Sequence, residues 1–228
     1  MMISPDAYYE EFLKGKTVEE IMTTIRGLKR EIGHLKNTME HPDYGRKPLI
    51  HPSEEVRLSC TRMYLERAKE ALIEVGGTYK LSQAELKAAA FDKSIPAICK
   101  VVFSIGGFFG GYETRTYILD EEYLYMDVDH FPFLKPSDFE IKPDSPLTKE
   151  EFLDGIRELH IGEWRARYDP SRFGYWVLDG TQWELEIYFS DGHMPVKIHG
   201  SNSYPYNFDK FKELLGMDLC DDDMEEDE

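Results

Sequence analysis

Cysteine is scarce in this 228-residue chain: Cys60, Cys99 and Cys220 are three in number, far apart and in no CxxC spacing. They suggest neither a disulfide framework nor a cysteine zinc site, and the three read as free thiols. No apolar run approaches the ~18 residues that a membrane span requires. The first residues carry acids and tyrosines where a signal peptide has a basic end and an apolar stretch. A cytoplasmic protein with no membrane association is expected. No Gly-x-Ser-x-Gly elbow, His-Glu-x-x-His helix or phosphate-loop fingerprint occurs, so the commonest hydrolase, metalloprotease and nucleotide-binding signatures are missing. Cations are also in deficit, 27 against 44 acids, for a net charge of −17. Nucleic-acid affinity rests mainly on Lys and Arg displacing counterions, so direct nucleic-acid binding is not expected.

The acidity is uneven along the chain. Residues 1–80 carry 13 charges of each sign, residues 81–217 are net −9, and residues 218–228 hold eight acids and no base. Self-repulsion makes that last stretch a predicted disordered acidic tail. The 41% hydrophobic content is ample for a core.

Residues 1–80 read as helices. Ser4 caps a short helix with Pro5 at its first position, ending near Leu13. Thr17 opens a longer one with an apolar seam of Val18, Ile21, Ile25, Leu28, Ile32, Leu35 and Met39. Ser53 opens another, with Leu58, Thr61, Leu65, Ala68, Leu72 and Val75, stopped by Gly76 and Gly77. Two seams of similar length joined by a loop predict an antiparallel helical hairpin.

Residues 81–217 change period. A helix starts after Ser82, and strands are predicted over 97–105, 112–119 and 123–129. A helix opens at Thr148, a strand-like run covers 161–168, and Asn207 is placed to cap a closing helix. Between them lies the most legible segment, Tyr175 to His199, punctuated by Asp179-Gly180 and Asp191-Gly192. Asp-Gly between alternating runs is a strong hairpin signal, because both central residues of a type I′ turn need positive φ. The second turn sets Leu185 against Ile198, Ile187 against Val196 and Phe189 against Met194 on an apolar face. On the other face it sets Glu184 against His199, Glu186 against Lys197 and Tyr188 against Pro195. The first turn sets Trp176 against Trp183, Val177 against Gln182 and Leu178 against Thr181, predicting cross-strand stacking of the two indoles. The expected architecture is α+β: an antiparallel sheet, built as two meanders of three to four strands with covering helices, preceded by the helical hairpin. The three expected segments are 1–80, 81–217 and 218–228.

Candidate chemistry is sparse. Glu184 opposite His199 is a carboxylate placed to orient an imidazole, an element of general acid–base sites, though a cross-strand pair on a polar sheet face needs no catalysis and is the preferred reading. Asp127, Asp129 and His130 are candidate oxygen and nitrogen ligands for a divalent metal, though solvated acids at a strand end look the same. Phe108 and Phe109, between Gly106-Gly107 and Gly110-Gly111, suit either a hairpin connection or a ligand-contacting flap. Asn202, Tyr204 and Tyr206 supply the adaptable polar and aromatic contacts of a binding loop, or pack beneath it. No cofactor is expected. The stretch from Trp183 to Leu215, with Asp191-Gly192, Gly200-Ser201-Asn202, Tyr204-Pro205 and Asn207-Phe208, resembles a recurring ending of uncharacterised bacterial proteins, which implies no activity and no site residue. The reading that follows is a protein-interaction or regulatory module without catalysis, engaging a partner or a second copy through the hairpin or the aromatic loops. The alternatives are a small hydrolase or metal-assisted enzyme, and an acidic nucleic-acid mimic that inhibits a basic protein.

Overall fold

The computed structural model describes residues 2–46, 51–107, 110–120, 124–131 and 147–217. The chain divides into two compact units between Ser82 and Gln83.

The first unit is helical: α1 (Pro5–Tyr8), continued by a wider turn over Tyr9–Leu13, then α2 (Val18–Met39) and α3 (Glu54–Glu74). Each start has a local cause. Ser4, Thr17 and Ser53 each accept a hydrogen bond from a first-turn amide, and Glu20 completes a capping box with Thr17. The end of α3 is equally local: Gly76, at φ +80°, lets the Gly77 amide reach the Leu72 carbonyl at 2.8 Å and the Gly76 amide reach Ile73 at 2.9 Å, a Schellman closure. Ile21 and Ile25 from the first half of α2 share a core with Leu65, Ala68, Ala71 and Leu72 from the second half of α3. The two helices are therefore antiparallel. Val75 ends up exposed and not in the seam, because α3 stops one residue before it.

The second unit holds α4 (Gln83–Ser94), β1 (Ile98–Gly107), β2 (Gly111–Leu119), β3 (Leu124–Phe131), α5 (Lys149–Glu158), β4 (Arg167–Tyr168), β5 (Gln182–Phe189), β6 (Val196–Ser201) and α6 (Phe208–Leu214). The strands form one sheet, in the order β3-β2-β1-β5-β6-β4, and not two meanders. The cause is β1, which pairs with β2 along one edge and with β5 along the other. All contacts are antiparallel except β4 with β6. Of the expected strand at 161–168 only Arg167 and Tyr168 pair, Ile161–Glu163 being a 3₁₀ turn.

The β5–β6 register is the one the sequence predicts, from Glu184↔His199 to Ile187↔Val196. It stops there. Pro195 has no amide to offer, so Tyr188–Pro195 and Phe189–Met194 stay outside the ladder, and Met194 is exposed. The Asp179-Gly180 hairpin does not form, because the edge it needs on β5 is taken by β1, with Ile105 and not Trp176 opposite Trp183. Residues 174–181 run outside any strand, leaving Trp176 89% and Leu178 fully exposed, while Trp183 is 2% exposed. Trp164 is also 2% exposed, so acrylamide should quench one of the three indoles strongly and two weakly. Trp176→Phe should remove the accessible component; a quenching curve unchanged by that substitution would contradict this placement.

Strand alternation gives the sheet two unlike faces. Val101, Phe103, Tyr117, Leu185, Ile187 and Ile198 face the helices, where Phe103 meets Phe211 edge-on at 5.0 Å and Tyr117 stacks on Phe152 at 5.1 Å. Within this unit no described helix packs on the opposite face. That bare face is where candidate residues collect.

Candidate binding surface

The registers place one row of side chains across all six strands of the bare face: Asp129, Thr114, Ser104, Glu184, His199 and Arg167. Its β4 half borders a groove of about 560 Å³ lined by Ser104, Tyr112, Arg167, Gln182, Glu184 and His199, among others. Most of these groups already have local partners. Thr114 donates to Ser104 Oγ at 3.0 Å, Gln182 donates to Ser201 Oγ at 2.7 Å, and Arg167 pairs with Asp169 at 2.9 Å. Asp169 is held down at about 2, first by the Ser171 hydroxyl and amide and then by Arg167. One row away, Glu186 pairs with Lys197 and Tyr188. These bonds pull the carboxyl below its usual range.

The structure brings Glu184 and His199 together as neighbours across β5 and β6, both exposed. No hydrogen bond or ion pair joins them. Ser104, the nearer of the two hydroxyls in the same row, lies on the far side of Glu184 from His199, two strand spacings or about 10 Å away. That distance is too long for His199 to take a proton from Ser104, so the row does not compose a nucleophile and base.

Asp127 and Asp129 share the bare face, opposite Thr116 and Thr114, while His130 points to the other face, opposite Glu113. Alternation separates the imidazole from the two carboxylates. Among the described residues no group of three His, Cys, Asp or Glu is arranged to hold a metal. Phe108 and Phe109 lie outside the described residues.

The Asn202–Tyr206 loop works inward. Asn202, at φ +48°, accepts from the Thr181 amide at 2.9 Å. The buried Ser203 offers its carbonyl to Trp183 Nε1 at 2.9 Å. Tyr204 lies parallel to Trp183 and packs on Phe208 at 4.7 Å, and burial raises its hydroxyl pKa. Tyr206 is partly buried against the same core. Asn207 does not cap α6 with its side chain; it accepts from Trp164 Nε1 at 3.0 Å and donates to the Leu159 carbonyl at 2.7 Å.

What the sequence reading missed is on β2 and β3. Tyr112 stands opposite Phe131 and Ile118 opposite Tyr125, all four exposed on the bare face, with Phe131 at 70%. Between these two apolar pairs sit Thr114, Thr116, Asp127 and Asp129. Alternation along 123–129 marks the acids and Tyr125 as one face, but Phe131 falls beyond the expected end of that strand.

Fold and surface together define an α+β protein with one sheet face under helices and, among the described residues of this unit, no helix on the other. No protein family, curated protein or solved structure matches the chain. No described helix is long and apolar enough to cross a membrane.

Proposed function

We propose that this chain is a protein-binding module without catalysis, and that its partner covers the β2–β3 half of the bare sheet face. The observation that carries this reading is the patch itself. Tyr112, Phe131, Ile118 and Tyr125 are large apolar or aromatic side chains held in fixed register on the sheet, yet exposed. They form two exposed pairs, one at each end of the β2–β3 ladder with Thr114, Thr116, Asp127 and Asp129 between them, and aromatic side chains are enriched at recognition sites. The hydrolytic alternative has a weaker basis: Glu184 and His199 share a groove, but no hydrogen bond joins them, and Ser104 lies about 10 Å from the imidazole.

The experiment compares the immobilised full-length chain with a Tyr112→Ser/Phe131→Ser variant. Both changes are at exposed positions, so circular dichroism and melting temperature should be nearly unchanged. A protein retained stoichiometrically by the wild type and lost by the variant is the expected result. Retention unaffected by the variant, or turnover of ester or phosphodiester substrates that Glu184→Gln abolishes, would overturn the reading.

A further inference from the structure

We infer that the outer edge of β3 accepts an extended, Lys- or Arg-bearing segment of the partner as a seventh strand. This rests on the protein-binding reading above and names the mode and chemistry of the partner. β3 is the last strand on its side of the sheet, eight residues long, with no described strand beyond it. Alternate residues of such a strand direct their amides and carbonyls outward, in the spacing that a further strand would match.

Edges of this length are ordinarily blunted by charged side chains, lysine above all, by proline, a bulge, brevity or a covering segment. Leu124–Phe131 contains no proline, no lysine and no arginine, and its register with β2 runs without a shift from Tyr112↔Phe131 to Leu119↔Leu124. What it carries is acid. Asp127 and Asp129 face the uncharged Thr116 and Thr114 on their inner side, so β2 supplies no cation to them. A residue directly opposite on an added strand would lie within ~5.5 Å, where opposite charges stabilise the pair. Lys or Arg at two alternate positions would meet the two acids, and apolar residues on either side would extend the Tyr125 and Phe131 ends of the patch.

The same acids argue against a second copy of this chain as the occupant. A two-fold pairing of β3 with itself must keep the bare faces on one side. In the two registers of greatest overlap this sets Asp127 against Asp129, or Asp127 against Asp127. Like charges directly opposite are destabilising. The edge is therefore selective, repelling itself while matching a basic strand.

The test titrates full-length protein with a labelled ten-residue peptide alternating Lys and Val, read by fluorescence anisotropy. A Glu–Val counterpart and a Lys–Val peptide N-methylated at its four central amides serve as comparisons. The Lys–Val peptide should bind. Affinity should fall at least tenfold on N-methylation and at least tenfold with Asp127→Asn/Asp129→Asn, and the Glu–Val peptide should not bind. The double variant keeps all eight acids of residues 218–228, so a peptide held there would be insensitive to it, and that result would overturn the proposal. So would equal binding of the N-methylated peptide, or a dimer of the free protein in sedimentation. Failure here, with partner retention still dependent on Tyr112 and Phe131, would discard the added strand and leave the protein-binding reading standing.

Discussion

Alanine at Trp183 should lower the unfolding free energy by about 3–5 kcal/mol, whereas alanine at Trp176 should change it by less than about 0.5 kcal/mol. The two indoles are seven residues apart and chemically identical; their surroundings make the difference. Trp183 packs against Phe208 at 5.0 Å, Tyr168 at 5.7 Å, and Phe103 and Tyr204 at 6.5 Å each. Its Nε1–H is spent on the Ser203 carbonyl. Removing it leaves a cavity walled by aromatic rings from β1, β4, the loop after β6 and α6, and leaves a buried carbonyl without its donor. The opposing residue, Gly200, shows how closely that space is filled: a Cβ there would stand 2.3 Å from Trp183 Nε1 and 2.7 Å from the Ser203 carbonyl oxygen. Gly200→Ala should therefore cost about 1–3 kcal/mol by overpacking. All three indoles lie in the sheet unit, so urea unfolding followed by fluorescence reports on that unit. Similar midpoints for the Trp176 and Trp183 variants would refute the assignment of one to solvent and the other to the core.

That contrast also marks what was legible in the sequence. The α2 and α3 starts, the Gly76-Gly77 stop and the β5–β6 register depend on residues close in sequence, and all are where patterning puts them. The partner of β5's other edge is a different kind of question. Residues 174–178 are nearby and apolar, so local pairing looks adequate. β1 offers more, because Val101 and Phe103 are then buried between sheet and helices. A longer loop adds closure entropy only logarithmically, which is small beside burying two such side chains at about 1.5–3 kcal/mol each. Composition misleads in the same way at Asn202–Tyr206. Asn, Ser and Tyr serve equally in a recognition loop and in a tight turn whose rings pack on a buried indole, and only the position of Trp183 decides. The bare-face patch needed the β2–β3 register, which no turn residue in the sequence announces.

Arg115→Met should cost about 1.5–3 kcal/mol and Tyr117→Phe about 0.5–1.5 kcal/mol, although neither residue has a partner within reach by sequence that would suggest it, Glu113 apart. Both donate to one atom: Arg115 Nη1 at 2.5 Å and the Tyr117 hydroxyl at 2.6 Å bond the Leu215 carbonyl, about a hundred residues away. The end of α6 explains why. Gly216, at φ +60°, closes the helix by sending the Met217 amide to Lys212 and its own amide to Glu213, which leaves the Leu215 carbonyl at the negative end of the helix without a backbone donor. A guanidinium satisfies both the lone pairs and the dipole. Glu113, 2.5 Å from Arg115 Nε, balances the charge of this mostly buried cation. Removing Arg115 thus leaves Glu113 without its cation as well, which is why its loss outweighs that of the phenol. Since the two donors share an acceptor, the double variant should fall short of the sum of the singles. A pH dependence separates them further. The Tyr117 hydroxyl is held above its ordinary value, chiefly by burial, so its contribution is full below pH about 10 and is lost as pH rises through the raised folded value. Tyr117→Phe should flatten that alkaline loss in urea titrations between pH 7 and 11, and Arg115→Met should not. Additive costs, or an alkaline limb indifferent to Tyr117, would mean that α6 is held to the sheet by its apolar face alone.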